Sequence, residues 1–271
     1  FMGWAILSGI IDIPCDNPAI WRFFAELIPF AVMVAFSIIF LIIEKGEVKI
    51  PIMENCLKGI IAGIFIGIIW IGLSVIILFS SRQLEIIEKN NVTLLWLWFL
   101  SAFVRVILRF HFHLKKRSAV RHSFFVCLFS MGKSFFRNQL LKKKYNLKLA
   151  IVVTTIIFTF LHGGAFEAGV IPVINVITMC LFTTALYESE QTILAPILAH
   201  TIWNIVGAII LGGVSLADDY PSLYSMASSG NEILSGGNYK IEASVVVMVI
   251  NIVLTIFFYV QYRKTAELAK S

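Results

Sequence analysis

Apolar residues run almost unbroken through most of this chain, separated by short polar connections. A helix that crosses a bilayer needs about 20 mainly apolar residues. Runs of this kind fall at residues 1–14, 21–43, 58–80, 93–110, 147–163, 169–187, 193–213 and 244–261, the first of them short. In lipid every backbone N–H and C=O must be satisfied within the protein, which long apolar runs achieve as helices. The pattern predicts an all-α fold, a polytopic transmembrane helical bundle of about eight spans. It forms a single integral membrane domain over residues 1–271, because no polar stretch is long enough for a separate soluble one. The first run lacks a basic leader and an Ala-x-Ala site, so no cleavable signal is expected.

Composition agrees. Hydrophobic residues make up 59% of the 271 and charged residues 14%, where soluble domains average about 45–50% and about 25%. The formal charge of +6 reads as an excess of Lys and Arg in cytoplasmic loops, with membrane lipid as the partner and no nucleic acid. Cations from Arg105 to Lys148 crowd one connection, Lys45, Lys49 and Lys58 flank another, and Arg263, Lys264 and Lys270 follow the last span. With eight spans all three regions share one side, which places both termini in the cytoplasm and the chain in the plasma membrane. The 213–243 connection, with Asp218, Asp219, Glu232 and Glu242, is then external. Usage rich in Ile, Lys and Asn suits an AT-rich bacterial genome. Cys15, Cys56, Cys127 and Cys180 are scattered and read as apolar fillers.

The segment 111–146 breaks the pattern. It joins His111-Phe-His113-Leu-Lys-Lys-Arg117 to the apolar Ser123–Ser130 and then to Gly132-Lys-Ser-Phe-Phe-Arg137. A basic amphipathic stretch of this kind suits the anionic inner leaflet. His111, His113 and His122 read as surface residues there. The abrupt change of composition over 105–136 also motivates a shifted reading frame or an insertion.

The candidate chemistry lies in two histidines within apolar runs, where a polar ring is expensive unless it is used. Phe158 and His162 are four apart, as are His200 and Asn204, so each pair shares a helix face. Gly163 and Gly164 follow the first pair and allow close approach. Asn204 can hydrogen-bond a bound carbonyl oxygen or set the His200 tautomer. Pro196 can bend the second helix by freeing the Thr192 carbonyl. An alternative stays open, in which each imidazole is interhelical glue worth about 0.6 kcal/mol. So does a transporter reading with the two rings as a proton relay, although paired broken helices are not evident.

Phe158-x-x-x-His162 and His200-x-x-x-Asn204, with the leader Leu194-Ala-Pro-Ile-Leu-Ala199 and the tail Gly237-Asn-Tyr-Lys-Ile-Glu242-Ala-Ser244, resemble the CPBP family. This is the CAAX-protease and bacteriocin-processing family of intramembrane metalloproteases, also called Abi. The likeness centres on residues 137–261. It implies an intramembrane metalloendopeptidase that cleaves a prenylated or other membrane-associated peptide. It implies His162, His200 and Asn204 as catalytic residues, His162 and His200 as ligands of a divalent metal (zinc first), and Phe158 and Arg137 as supporting motif positions.

The family's Glu-Glu-x-x-x-Arg motif is degenerate here. Alignment on Arg137 puts Gly132 and Lys133 where the acids belong, and no acid lies between Glu88 and Glu167. Neither Gly nor a cationic Lys can take a proton from water, and losing a catalytic base forfeits about 10²–10⁴-fold. Glu167, five residues past His162, and Glu188 and Glu190, at the start of the His200 helix, are the nearest substitutes. The resemblance therefore also implies an alternative: an inactive member of the fold acting in bacteriocin self-immunity or peptide binding.

Overall fold

The computed structural model describes residues 16–43, 55–110, 147–160, 162, 164–215 and 220–268. The first expected span, the basic 111–146 segment with Gly132, Lys133 and Arg137, and Gly163, Asp218 and Asp219 lie outside the described residues. In chain order the elements are α1 (Pro18–Ile43), α2 (Cys56–Ser80), β1 (Leu84–Lys89), α3 (Leu95–Phe110), α4 (Leu147–Phe160), α5 (Gly164–Ala168) and α6 (Val170–Glu190). They continue with α7 (Leu194–Asn204, extended by a π turn over Ile205–Ile210), β2 (Tyr224–Ser228), α8 (Glu232–Ser235), a 3-10 segment (Gly237–Ala243) and α9 (Val245–Leu268). Among the described residues three helices, Cys56–Ser80, Val170–Glu190 and Gly237–Thr265, are long and apolar enough to cross a membrane. Leu95–Ile107, Ile151–Phe160 and Leu194–Ile210 are shorter apolar helices. The chain is a helical membrane bundle, although these helices do not by themselves make up the eight expected spans.

The chain divides into two compact units, residues 1–50 with 93–157 and residues 51–92 with 158–271. In the first, Asn17 caps α1 by accepting from the backbone N–H of Ala19 at 3.0 Å and Ile20 at 3.4 Å, and Pro18 takes the first helical position, where its missing N–H is harmless. Glu26 on α1 receives Arg22 at 2.8 Å and Arg105 of α3 at 3.1 Å, all three side chains nearly buried. Arg105 is thus an ion-paired helix residue, not one of the loop cations among which its sequence position groups it.

In the second unit α2 and α7 run parallel. A Cβ on Gly59 would meet Thr192 and Leu194, one on Gly63 would meet Ala195 and Leu198, and one on Gly67 would meet Ala199 and Ile202. The contacts climb both helices together. Small residues at every fourth position let the backbones approach closely, as membrane helices do when lipid gives no hydrophobic drive to associate. Leu57, Ile61, Phe65 and Ile68 of α2 and Val253, Ile256 and Phe257 of α9 remain exposed, in keeping with a lipid-facing surface.

A polar chain crosses the core of this unit. Trp70 Nε1 donates to Asn251 Oδ1 of α9 at 2.8 Å, and Asn251 Nδ2 donates to Thr178 Oγ1 of α6 at 3.1 Å. Asn175 Nδ2 donates to the backbone oxygens of Glu242 at 2.7 Å and Ser244 at 3.0 Å. Trp70 also stacks on Trp203 of α7, with ring centroids 4.1 Å apart, and meets Phe182 edge-on at 5.0 Å.

Beside the helices the structure has a feature that an all-α reading lacks. β1 and β2 pair antiparallel, Leu84 opposite Ser228 through Lys89 opposite Tyr224, with an irregularity between Ile86 and Glu88. Asn90 extends the pairing, donating from Nδ2 to the Ser222 oxygen and to Ser225 Oγ, both at 2.9 Å. The sheet joins the connections that follow α2 and the π turn of α7, so those two helix ends lie together.

Candidate functional site

The His200 helix is set by what precedes it. Gln191 adopts a left-handed conformation, φ 54°, and ends α6. Glu188 and Glu190 therefore close α6 and do not begin the His200 helix, as their sequence position suggests. α7 starts at Leu194, so Pro196 falls in its first turn. A proline there removes a donor that has no intrahelical partner anyway, and no bend follows from it.

At 100° per residue, His200 and Asn204 lie about 150° or more around α7 from the centre of the Ala195, Leu198, Ala199 and Ile202 stripe that packs on α2. Both are only 3% exposed. Thr201 closes on its own helix, donating to the Ile197 oxygen at 2.9 Å. Asn204 Nδ2 is buried with no hydrogen-bond partner among the described residues. An amide donor left so costs about 1–3 kcal/mol. The π turn begins at the next residue, and such turns recur at functional sites.

His162 departs from expectation in one respect. α4 ends at Phe160, so the ring follows that helix and leads into α5. Its backbone N–H donates to the Thr159 oxygen at 3.0 Å, and its own oxygen accepts from Ala165 N–H at 2.8 Å. The Phe158 pairing is real. The rings lie 4.3 Å apart, and His162 Nδ1 is 2.8 Å from the Phe158 carbonyl oxygen. A carbonyl can only accept, so Nδ1 carries the proton and Nε2 of the neutral ring is left as the acceptor.

The substitute acids are placed as follows. Glu167, in the five-residue α5, is exposed. Glu190 is buried and pairs with Lys58 at the start of α2 at 3.1 Å, the Lys side chain being 61% exposed. Glu188 is buried near the same helix end. Arg137 and the Gly132-Lys133 positions lie outside the described residues.

A catalytic zinc ordinarily takes three protein ligands. Among the described residues no group of three or more His, Cys, Asp or Glu could hold a metal ion. His162, with Nδ1–H tied to a carbonyl, has the orientation of a metal-ligating imidazole, but two imidazoles fall short of the set. The described donors do not fit a catalytic zinc centre.

Sequence reasoning did not single out Trp70, Trp203, Asn251 or Glu26. For Trp70 and Asn251 one signal was available: each places a polar group within an apolar run. Their pairing across 181 positions has no counterpart in local spacing.

The sequence profile of the type II CAAX prenyl endopeptidase Rce1-like family matches residues 18–206. That stretch exceeds half of the chain and contains both histidine motifs. No curated protein and no solved structure matches the chain.

Proposed function

This chain belongs to the type II CAAX prenyl endopeptidase Rce1-like family, and on that footing we propose that it is an endopeptidase of membrane-associated, CAAX-type peptides working through His162, His200 and Asn204. The observation that carries the reading is the Asn204 amide, a buried donor without a partner one helical turn beyond the buried His200.

In this reading His162 Nε2 accepts a proton from water, the task a neutral imidazole performs near neutral pH. Nδ1–H, held by the Phe158 oxygen, keeps the ring in that tautomer. His200 orients the water from α7. Asn204 Nδ2 donates to the oxygen on which charge develops as the peptide carbonyl becomes tetrahedral, a contribution of about 10²–10³ in rate for a single donor. The proton held by His162 then passes to the leaving amine. The low dielectric of the bundle strengthens each of these interactions.

We propose further that this integral membrane protein has both termini in the cytoplasm of a bacterium, a reading that rests on loop charge and residue usage; the placement of two helices is consistent with its alternation of sides. α2 and α7 run parallel, their far ends are joined through the sheet, and Lys58 and Glu190 bridge the opposite connections. All three agree with the alternation of sides expected from loop charge.

A second reading is favoured by one observation, Gly132-Lys133 where the family's acids are expected. It keeps the same site as a binding site for such a peptide, in a self-immunity role. The deciding experiment offers a prenylated CAAX peptide to the protein in proteoliposomes. Cleavage that disappears in His200→Ala supports the first reading. Binding without cleavage, weakened by Asn204→Leu, supports the second. Neither cleavage nor binding overturns both.

A further inference from the structure

The 3-10 segment before α9 holds a strained residue that the chemistry above does not use. Lys240 has φ 49° and ψ −130°, a conformation that residues with a Cβ rarely adopt and that persists only where surrounding structure forces it. The neighbours do so. A Cβ on Gly236, φ 85°, would lie 1.7 Å from the Lys240 oxygen. Ile241 is fully buried and reaches Gly213, and the Glu242 oxygen is held by Asn175 of α6.

These restraints aim the Lys240 side chain at the end of α7. Nζ donates to the Gly212 oxygen at 2.8 Å, and Glu242 Oε2 accepts from Ser215 N–H at 2.9 Å. Lys240 and Glu242 thus each tie down the stretch that closes the π segment, at Gly212 and at Ser215. Inside it the Gly207 oxygen accepts from Gly213 N–H at 2.8 Å and Val214 N–H at 3.1 Å, and the Ile209 oxygen accepts from Leu223 N–H at 2.7 Å.

We infer that Lys240 is a positioning residue for Asn204, its contact with the Gly212 oxygen holding the π turn Ile205–Ile210 in register and so aiming the Asn204 amide. Asn204 stands at the junction where α-helical geometry becomes π. The glycine stripe of α2 fixes the α7 stretch before it, and the clamp fixes the stretch after it. Were the clamp released, the π turn could relax into α geometry and turn the junction. The inference deepens the reading of Asn204 as an oxyanion donor, and rests on it for its functional consequence.

The test uses the full chain in nanodiscs with three variants. Lys240→Met removes the ammonium, Lys240→Arg restores a cation, and Lys240→Gly removes both the amine and the strain. Amide hydrogen exchange across residues 205–215 should quicken about tenfold or more in Lys240→Met, as expected for loss of a charge-assisted hydrogen bond, and return toward the native rate in Lys240→Arg. Peptide cleavage or binding should fall in Lys240→Met, recover in Lys240→Arg, and fall in Lys240→Gly while the unfolding midpoint of that variant holds or rises. Native exchange in Lys240→Met overturns the clamp. So does a loss of stability in Lys240→Gly that parallels the loss of function, which would make Lys240 a plain structural tie. If the unaltered protein neither binds nor cleaves peptide, the functional reading fails, and the exchange rates still decide whether the clamp exists.

Discussion

Two glycines of one helix provide a matched pair of opposite sign. A Cβ built on Gly63 would lie 2.7 Å from the Ala195 oxygen, 2.8 Å from Leu198 Cβ and 3.0 Å from Ala195 Cα. Ordinary contact between such atoms is about 3.5–4.0 Å. The obstruction is backbone and Cβ, which no rotamer change removes, so α7 must withdraw from α2 by roughly 1 Å in Gly63→Ala. Overpacking of this kind costs about 1–3 kcal/mol. At Gly72, on the same α2, an added Cβ meets nothing within 4 Å, so Gly72→Ala should only gain the helix propensity of Ala, about 1 kcal/mol. Both variants share that gain, and their difference isolates the packing term of about 1–3 kcal/mol. Equilibrium unfolding in mixed micelles measures it. A withdrawal of 1 Å also moves His200 and Asn204, and a misplacement of that size can cost about 10²-fold in rate. Gly63→Ala should therefore lower peptide turnover far more than Gly72→Ala. Equal stability and turnover in the two variants would refute both the close approach of α7 to α2 and its bearing on the site.

Trp70→Phe keeps an aromatic ring against Trp203 but leaves the buried Asn251 Oδ1 without its donor; a loss of about 1–3 kcal/mol in the same unfolding assay is expected, much of it returned by adding Asn251→Leu. Glu26→Gln strips two nearly buried guanidinium groups of their shared carboxylate and should destabilise by about 3 kcal/mol or more, read as a lowered unfolding midpoint. If His162, His200 and Asn204 act as proposed, without a metal, cleavage should survive a strong chelator. Activity that is lost on chelation and restored by zinc would instead mean that a third ligand comes from elsewhere in the chain.

Much of this was legible in the sequence because membrane helices announce themselves locally. Apolar length marked the helices, and a spacing of four put His200 and Asn204 on one helix face and Phe158 beside His162, whose rings meet although His162 lies past the helix end. Helix ends were less legible. Hydropathy continues smoothly past Phe160, so nothing in it shows that His162 lies past the helix end, and the break at Gln191 depends on one backbone conformation that a polar side chain only permits. Lateral partners were not legible at all. The Leu84–Lys89 strand is six residues between two spans, and the segment it pairs with lies more than 130 positions away. Glu26 reads as a stray acid in an apolar run until Arg105 arrives from another helix. Pairings of this kind depend on tertiary placement, to which hydrophobic period is blind.

The two ends of the α2 and α7 pair are fastened unequally. At one end a ladder of backbone hydrogen bonds between β1 and β2 joins them. At the other, α2 meets the end of α6 through Lys58 and Glu190, with the lysine side chain largely exposed, a tie of the sort that salt weakens. The pair is therefore stiff at the sheet and compliant at the ion pair, like forceps joined at one end. Separation of the helices would cost least at the Lys58 end, about two turns before His200 on α7, and raising the ionic strength would ease it further.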